Sequence, residues 1–554
     1  MSEQKQQFRT HLSAFSLVLC AAGLATLWAG VTHPNSEPQF QDFVAGAVAI
    51  GAGVALLAVA QGWMKILQNQ IQNPIFHSVW ILLVLGAWMF VKRFGMYQVD
   101  GTSYGFMIDL GWRAHLGQIP YMDFPCSFPV FFVLASKLAF KWFGPYWSSI
   151  IAVQALFTAV TFAWMVFLLS KLMGRTWFSL LLAAALQITA NLSYSVLWYN
   201  IMTTIAGSLY TLSALLWLRQ PASAATWLSY GLSMVLLAGL KPNTAAPLIL
   251  SFSVILFIKS IKRFLLVCVS FAALWLFWII LWLNQINLPV VLGSYLGVSS
   301  RGYIPRNFLT YLGWAERDCF IVALASVTIP AIWLLYHNRR SWRHYLIPGI
   351  GFLAGLYAHI TNCDWWADLT LILCGLALIV DLDRSDLWQQ YVTGLCMVLA
   401  AAGIAQGICR ERVKTAGVNL FFQYDGNKYI LKDGLFAGTH CGDLFTEILR
   451  EESLLLKTNT GSIWFGPVLK WGYAAFNMEP PKSQPIAWNP DVFGGEGKRS
   501  LYFEQFMDSR FETLIFFKDM PEGYTQEELR RIGEAYVVDE SFHTLTVAHL
   551  RTNR

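Results

Sequence analysis

The chain has 554 residues, a length that would divide into about three or four domains in a water-soluble protein. Composition excludes that reading: 13% of the residues are charged, about half the usual share, 56% are hydrophobic, and mean hydropathy is +0.48. With 24 Trp and 39 Phe that composition also excludes a disordered, collagenous or nucleic-acid-binding protein, and the net charge of +6 is small for so long a chain. What remains is a polytopic α-helical membrane protein.

Taken in chain order, apolar stretches near the length of a bilayer crossing fall at 12–32, 42–64, 78–95, 147–170, 176–194, 201–218, 226–240, 245–260, 263–284, 319–337, 345–361, 368–382 and 389–408. They predict about 13 transmembrane helices, each close to the roughly 20 apolar residues that a span needs. The first is too long for a signal peptide and lacks a small-residue cleavage site, so it is expected to remain as an anchor. With the N-terminus cytoplasmic, the inner loops carry Lys5, Arg9, Lys65, Lys171, Arg219, Lys259 and Arg340 among others. Outer loops 33–41, 191–200 and 361–367 then carry no Lys or Arg, as the positive-inside rule requires. Residues from 410 onward are expected to emerge on the outer side. There the composition becomes that of an ordinary α/β domain. Asp443–Glu452 and Gln526–Glu534 read as helices, and Thr513–Phe517, Ala535–Val538 and Thr544–Leu550 as strands. The expected organisation is two extra N-terminal helices in 1–77, a membrane core in 78–409, and an extramembrane α/β domain in 410–554.

The most informative stretch follows the third span. Asp100-Gly101-Thr102-Ser103-Tyr104 leads into a helical pattern in which Tyr104, Ile108, Trp112 and Leu116 share one apolar face, with Asp109 and Arg113 paired elsewhere on it. Such a helix is expected to lie along the membrane surface. Pro120 ends it, Asp123 sits in a turn, and the run 128–143, interrupted by Lys137 and Lys141, predicts a second juxtamembrane helix. The outer juxtamembrane region thus covers about 101–143. It brings two carboxylates, Asp100 and Asp123, to the boundary of water and lipid, where they suit a substrate with a polar head and a lipid tail. The alternatives are structural, a helix cap for Asp100 and a turn residue for Asp123.

The succession of Asp100, Gly117-Gln118-Ile119-Pro120-Tyr121-Met122-Asp123-Phe124 and Pro125 resembles the first outer loop of the GT-C superfamily. These are membrane glycosyltransferases that use polyprenyl-phosphate-linked sugars, protein mannosyltransferases and aminoarabinose transferases among them. Phe143-Gly144, Trp198-Tyr199-Asn200 and Lys241-Pro242-Asn243 extend the resemblance across residues 78–410. Where the mannosyltransferases commonly have Asp-Glu, this chain has Asp100-Gly101. The resemblance implies an inverting transfer of a sugar from a polyprenyl-phosphate donor to a hydroxyl of a cell-envelope glycan, lipid or protein at the outer face.

That chemistry needs a base for the acceptor hydroxyl and donors for the leaving phosphate. Asp100 is the candidate base and Asp123 its helper; Lys241, Arg301 and Arg306 are candidates for the phosphate. For Lys241 the alternative is snorkelling to the interface. Tyr104, Tyr121, Tyr199 and Asn200 are candidates for substrate binding. So are His359, Asn362, Asp364 and Trp365, in a polar outer cluster that also fits an interfacial aromatic belt. One His with scattered carboxylates falls short of a metal motif, so no cofactor is assigned and a divalent cation at His359 and Asp364 stays open. Cys409 and Cys441 both fall outside the membrane and are open to pairing. A polysaccharide polymerase or ligase is the nearest rival, but it leaves the outer-loop motif unexplained. A transporter or lipid flippase should place ionisable residues in mid-span, where this sequence has few.

Overall fold

The computed structural model describes residues 74–95, 103–173, 179–190, 199–282 and 429–551, apart from short gaps within these ranges. The expected spans before residue 74 and from 319 to 408 lie outside the described residues.

The membrane half begins with α1 (Pro74–Gly95), followed by α2 (Ser103–His115), α3 (Val130–Phe143) and α4 (Trp147–Met173). After a partly described helical stretch come α5 (Tyr199–Arg219), α6 (Ala224–Leu240), α7 (Pro242–Lys259) and α8 (Ile261–Trp282). Among the described helices, Trp147–Leu172 and Ile201–Leu218 are long and apolar enough to cross a membrane, and Trp80–Met89, Ala224–Leu240 and Thr244–Ile258 are shorter apolar segments. Neighbours in sequence pack together: α5 on α4 and α6, α7 on α8, and α3 on both α2 and α4. Gly239 is what lets α3 approach α6, since a Cβ there would stand 2.4 Å from the Phe131 ring. Several polar side chains inside the bundle bond within it, as a water-free interior favours. Thr161 Oγ1 donates to the Phe157 carbonyl at 2.7 Å, Gln187 Nε2 to Thr161 Oγ1 at 3.0 Å, and the Tyr210 and Tyr230 hydroxyls share a hydrogen bond at 2.9 Å.

One expectation is corrected here. Helix α2 is not a surface helix with one lipid face. Ile108 and Trp112 are buried as foreseen, but so are Met107, Leu110 and Ala114, and Asp109 and Arg113 are fully enclosed. The polar side that was expected to face water is covered by residues of the C-terminal part of the chain. Exposure begins only at the helix end, with His115 and with Leu116, the last member of the predicted apolar face.

Residues 429–551 contain the short pair β1 (Tyr429–Ile430) and β2 (His440–Cys441), α9 (Asp443–Thr458), β3 (Ile463–Phe465) and the single turn α10 (Gly472–Ala475). They continue through α11 (Glu496–Asp508), β4 (Thr513–Phe517), α12 (Gln526–Ala535), β5 (Tyr536–Asp539) and β6 (Leu545–Leu550). Four strands form one sheet in the order β3-β4-β6-β5, with β3 parallel to β4 and the other pairs antiparallel. Side chains alternate across it, as a two-residue period requires. Trp464, Leu514, Tyr536 and Ala548 face α11 and α12 through Phe503, Phe506 and Ile532, whereas Ile463, Phe465, Ile515, Phe517 and Val547 join the core shared with α9 and the membrane half. Thr525 and Glu528 close the start of α12 with a reciprocal capping box. Cys441 is a buried free thiol; Cys409 lies outside the described residues.

Two neighbouring glutamates on α9 meet different fates. Both carboxyl oxygens of buried Glu452 lack a hydrogen-bond partner among the described residues, and burial pushes its pKa well above the usual range. Buried Glu451 accepts from the His543 N–H at 2.8 Å, the Thr544 N–H at 3.0 Å, the Thr544 hydroxyl at 2.6 Å and the Leu545 N–H at 3.2 Å, tying α9 to the β5–β6 turn. Burial opposes its charge, but these donors outweigh burial and hold its pKa below the usual value. Glu451→Gln turns an amide N–H toward those donors, so a loss of about 2–3 kcal/mol at pH 7 is expected in thermal or denaturant unfolding. The difference should be full above the unfolded carboxylate pKa of about 4.3 and close as pH falls through the lower folded value. A pH-independent difference would refute the charged role.

Candidate active site

The site grows from the turn that follows α2. Gly117, at φ 89°, lets the chain leave the helix, and Tyr121, at φ 68°, reverses it. The strained tyrosine is held from several sides. Its N–H donates to the Phe124 carbonyl at 3.0 Å, and its hydroxyl donates to the Phe128 carbonyl. Asp123 closes the same turn. Its carboxylate accepts from the Ile119 N–H at 2.6 Å, and its own N–H donates to the Ile119 carbonyl at 2.8 Å. The turn role weighed for Asp123 is therefore present in the structure. Cys126, beneath the turn, is buried, and burial pushes its thiol up to about 12, which keeps it protonated.

Phe128 links this turn to the membrane helices. Its ring stands edge-on to Tyr199 at 5.7 Å and tilts against Phe132 at 5.4 Å and Phe106 at 6.4 Å. Tyr199 opens α5, and Lys241 Nζ lies 5.2 Å from its ring centroid, within cation–π range. Lys241 occupies the corner between α6 and α7, with φ −156° and ψ 88°. Pro242 causes the corner: it disfavours a helical residue before it and suits the first position of the helix after it. The Lys241 N–H still caps α6 at the Leu237 carbonyl, 3.0 Å away, and its carbonyl accepts from Ala245 at 2.9 Å. A half-buried cation is thereby fixed at a helix junction against an aromatic face, not left on a free stem.

Two of the candidate residues, Tyr121 and Tyr199, thus meet at Phe128, with Asp123 in the turn of the first and Lys241 against the ring of the second. Tyr104 and Asn200 are the second residues of α2 and α5. Asp100, Arg301, Arg306, His359, Asn362, Asp364 and Trp365 lie outside the described residues. Among the described residues, no three His, Cys, Asp or Glu side chains come together in a metal-holding group.

Behind the turn lies a buried charge cluster. Arg113 Nε donates to Asp109 Oδ2 at 2.9 Å, and the guanidinium stacks 5.0 Å from the Phe124 ring centroid. Lys470, equally enclosed, places Nζ 3.1 Å from the Trp464 ring centroid. Burial raises the Asp109 pKa against the pull of Arg113 and Lys470. Burial, aided by repulsion from Arg113, drives Lys470 well below its usual range. The sequence pairs Asp109 with Arg113 correctly, but it carries no signal for Lys470 as the third member, some 360 residues away.

No family model matches the sequence, and none of the curated proteins does. A solved structure does: ArnT from Cupriavidus metallidurans bound to undecaprenyl phosphate superposes with a TM-score of 0.52 at 10% identity, over 87% of this chain and 99% of that one. At that identity the likeness is one of fold. That shared fold agrees with the resemblance carried by the outer-loop motifs.

Proposed function

We propose that this chain is an inverting glycosyltransferase that moves a sugar from a polyprenyl-phosphate donor to a hydroxyl of a cell-envelope glycan, lipid or protein. The observation that carries the reading is the half-buried Lys241 held over Tyr199 beside the Pro120-Tyr121-Met122-Asp123-Phe124 turn, on a fold shared with a protein solved with undecaprenyl phosphate. An ammonium at the edge of an apolar bundle matches a phosphate at the head of a lipid tail.

In this reading Asp100 takes the proton of the acceptor hydroxyl as that oxygen attacks the anomeric carbon. The bond from that carbon to the phosphate oxygen breaks on the opposite face, which inverts the configuration. The electron pair leaves with the polyprenyl phosphate, whose added negative charge is met by Lys241 and by Arg301 or Arg306. Asp123 keeps the turn in shape and helps to position the acceptor. Tyr104, Tyr121, Tyr199 and Asn200 surround the sugar, and the cluster of His359, Asn362, Asp364 and Trp365 completes the outer face.

The reaction belongs on the periplasmic side of a bacterial inner membrane, with about 13 spans and the 410–554 domain outside, since carrier-linked sugars are consumed there. Thiol labelling of cysteines placed at Ser36, Arg340 and Ser541 should report outside, inside and outside. An inside label at Ser541 would remove the terminal domain from that compartment. The function itself is tested by mass spectrometry of envelope glycans and glycolipids from cells with and without the gene. One sugar addition should vanish with the gene; an unchanged profile would refute the reading.

A further inference from the structure

The terminal domain reaches the outer turn through one short segment, Asn477-Met478-Glu479-Pro480-Pro481-Lys482-Ser483. It is bounded by two left-handed residues, Asn477 at φ 55° and Ser483 at φ 64°. Its adjacent prolines hold it extended and leave their carbonyls free to accept. Each acceptor meets a residue of α2 or of the turn. Trp112 Nε1 donates to the Met478 carbonyl at 2.8 Å, Gln118 Nε2 to the Pro480 carbonyl at 2.8 Å, and Arg113 Nη1 to the Pro481 carbonyl at 2.9 Å. In the other direction, the Ser483 N–H donates to the Asp123 carbonyl at 2.6 Å. Arg113 Nη1 also lies 3.3 Å from Gln118 Oε1, so the two donors hold each other in place. Gln118 and Arg113 are buried, which makes these bonds inaccessible to competing water.

We infer that this segment is a strap that sets the conformation of the outer turn 117–128, and that Gln118 and Arg113 are positioning residues through which the terminal domain acts on transfer. The inference rests on the glycosyltransferase reading for its effect on rate. The turn it grips contains a tyrosine in a left-handed conformation and the Asp123 carbonyl, and a conformation of that kind persists only where its surroundings over-determine it. The strap supplies that constraint from outside the turn. Because the same turn ends at Phe128, whose ring packs on Tyr199 and through it on Lys241, releasing the turn shifts the wall of the site by up to about an ångström, the scale on which transfer rates respond.

The experiment uses the full-length protein in lipid nanodiscs with three variants. Gln118→Leu removes one donor to the strap. Arg113→Lys keeps the charge opposite Asp109 but loses the planar fork, and it serves as the second reading should Gln118→Leu fail to fold. Lys482→Ala removes an exposed side chain from the same segment and is the control. For both Gln118→Leu and Arg113→Lys, amide hydrogen exchange across 117–128 should speed up about tenfold. Turnover at saturating donor should fall by about 10- to 100-fold, with the donor KM within about twofold of wild type. Lys482→Ala should leave exchange and turnover unchanged. Unchanged exchange in 117–128 would overturn the inference, as would faster exchange with wild-type turnover. A wild-type protein inert toward every carrier-linked sugar would count against the glycosyltransferase reading alone, because exchange needs no substrate and still decides whether the strap holds the turn.

Discussion

Asp100→Asn is expected to lower turnover by about 100- to 10,000-fold, the range that a positioned general base contributes. Asparagine preserves the size and shape of the side chain but cannot accept the acceptor's proton. It caps a helix about as well as aspartate does, so a purely structural Asp100, sitting just before α2, would tolerate the change. Donor binding should persist in the variant, since the phosphate contacts assigned to Lys241 are untouched. The measurement is turnover and donor affinity on the same purified preparation. Near-normal turnover would assign Asp100 to the helix start and require another base.

The second large effect is at Lys241. Loss of a charge-assisted hydrogen bond to a partly dehydrated phosphate costs about 1.5–3 kcal/mol, or about 10- to 150-fold in donor use. Lys241→Ala is expected to fall in that range. Lys137→Ala, on α3 near the same boundary, should lose no more than the roughly 1 kcal/mol of generic attraction between a lysine and an anionic membrane surface. Arg301→Ala and Arg306→Ala should differ from each other, because one guanidinium suffices beside Lys241. Donor titrations on the four variants decide the matter; equal, small losses would put the phosphate elsewhere. A milder test of the same contact is Tyr199→Leu, which removes the aromatic face 5.2 Å from Lys241 Nζ and keeps the bulk against Phe128.

Much of this was legible in the residues, because it depended on local signals. Apolar length marked α4 and α5, Lys241-Pro242 marked the corner between α6 and α7, and the helical pattern of Gln526–Glu534 marked α12. The Thr513–Phe517 strand emerged unchanged, and the last strand begins one residue later than expected. The burial of α2 was not legible. Its 3.6-residue period put Ile108 and Trp112 on a buried face, but the fate of the opposite face depended on Pro480 and Pro481, whose carbonyls are bonded across more than 360 residues of chain. Periodicity reports which side is apolar; it says nothing about whether the polar side meets water or a distant backbone. Likewise Tyr121 carries no mark of its left-handed backbone, which its neighbours impose, and Phe128 reads as an ordinary helix-start aromatic until Tyr199 is found against it.

The central claim is that a polyprenyl phosphate is the leaving group. Its most direct test is to incubate the purified protein with polyprenyl-phosphate-linked sugars and envelope acceptors, and to follow the carrier by mass spectrometry. The account predicts release of free polyprenyl phosphate in equal amount to the glycosylated acceptor, with the new linkage inverted at the anomeric carbon. No consumption of any carrier-linked sugar, with transfer instead from a nucleotide-activated sugar, would contradict it.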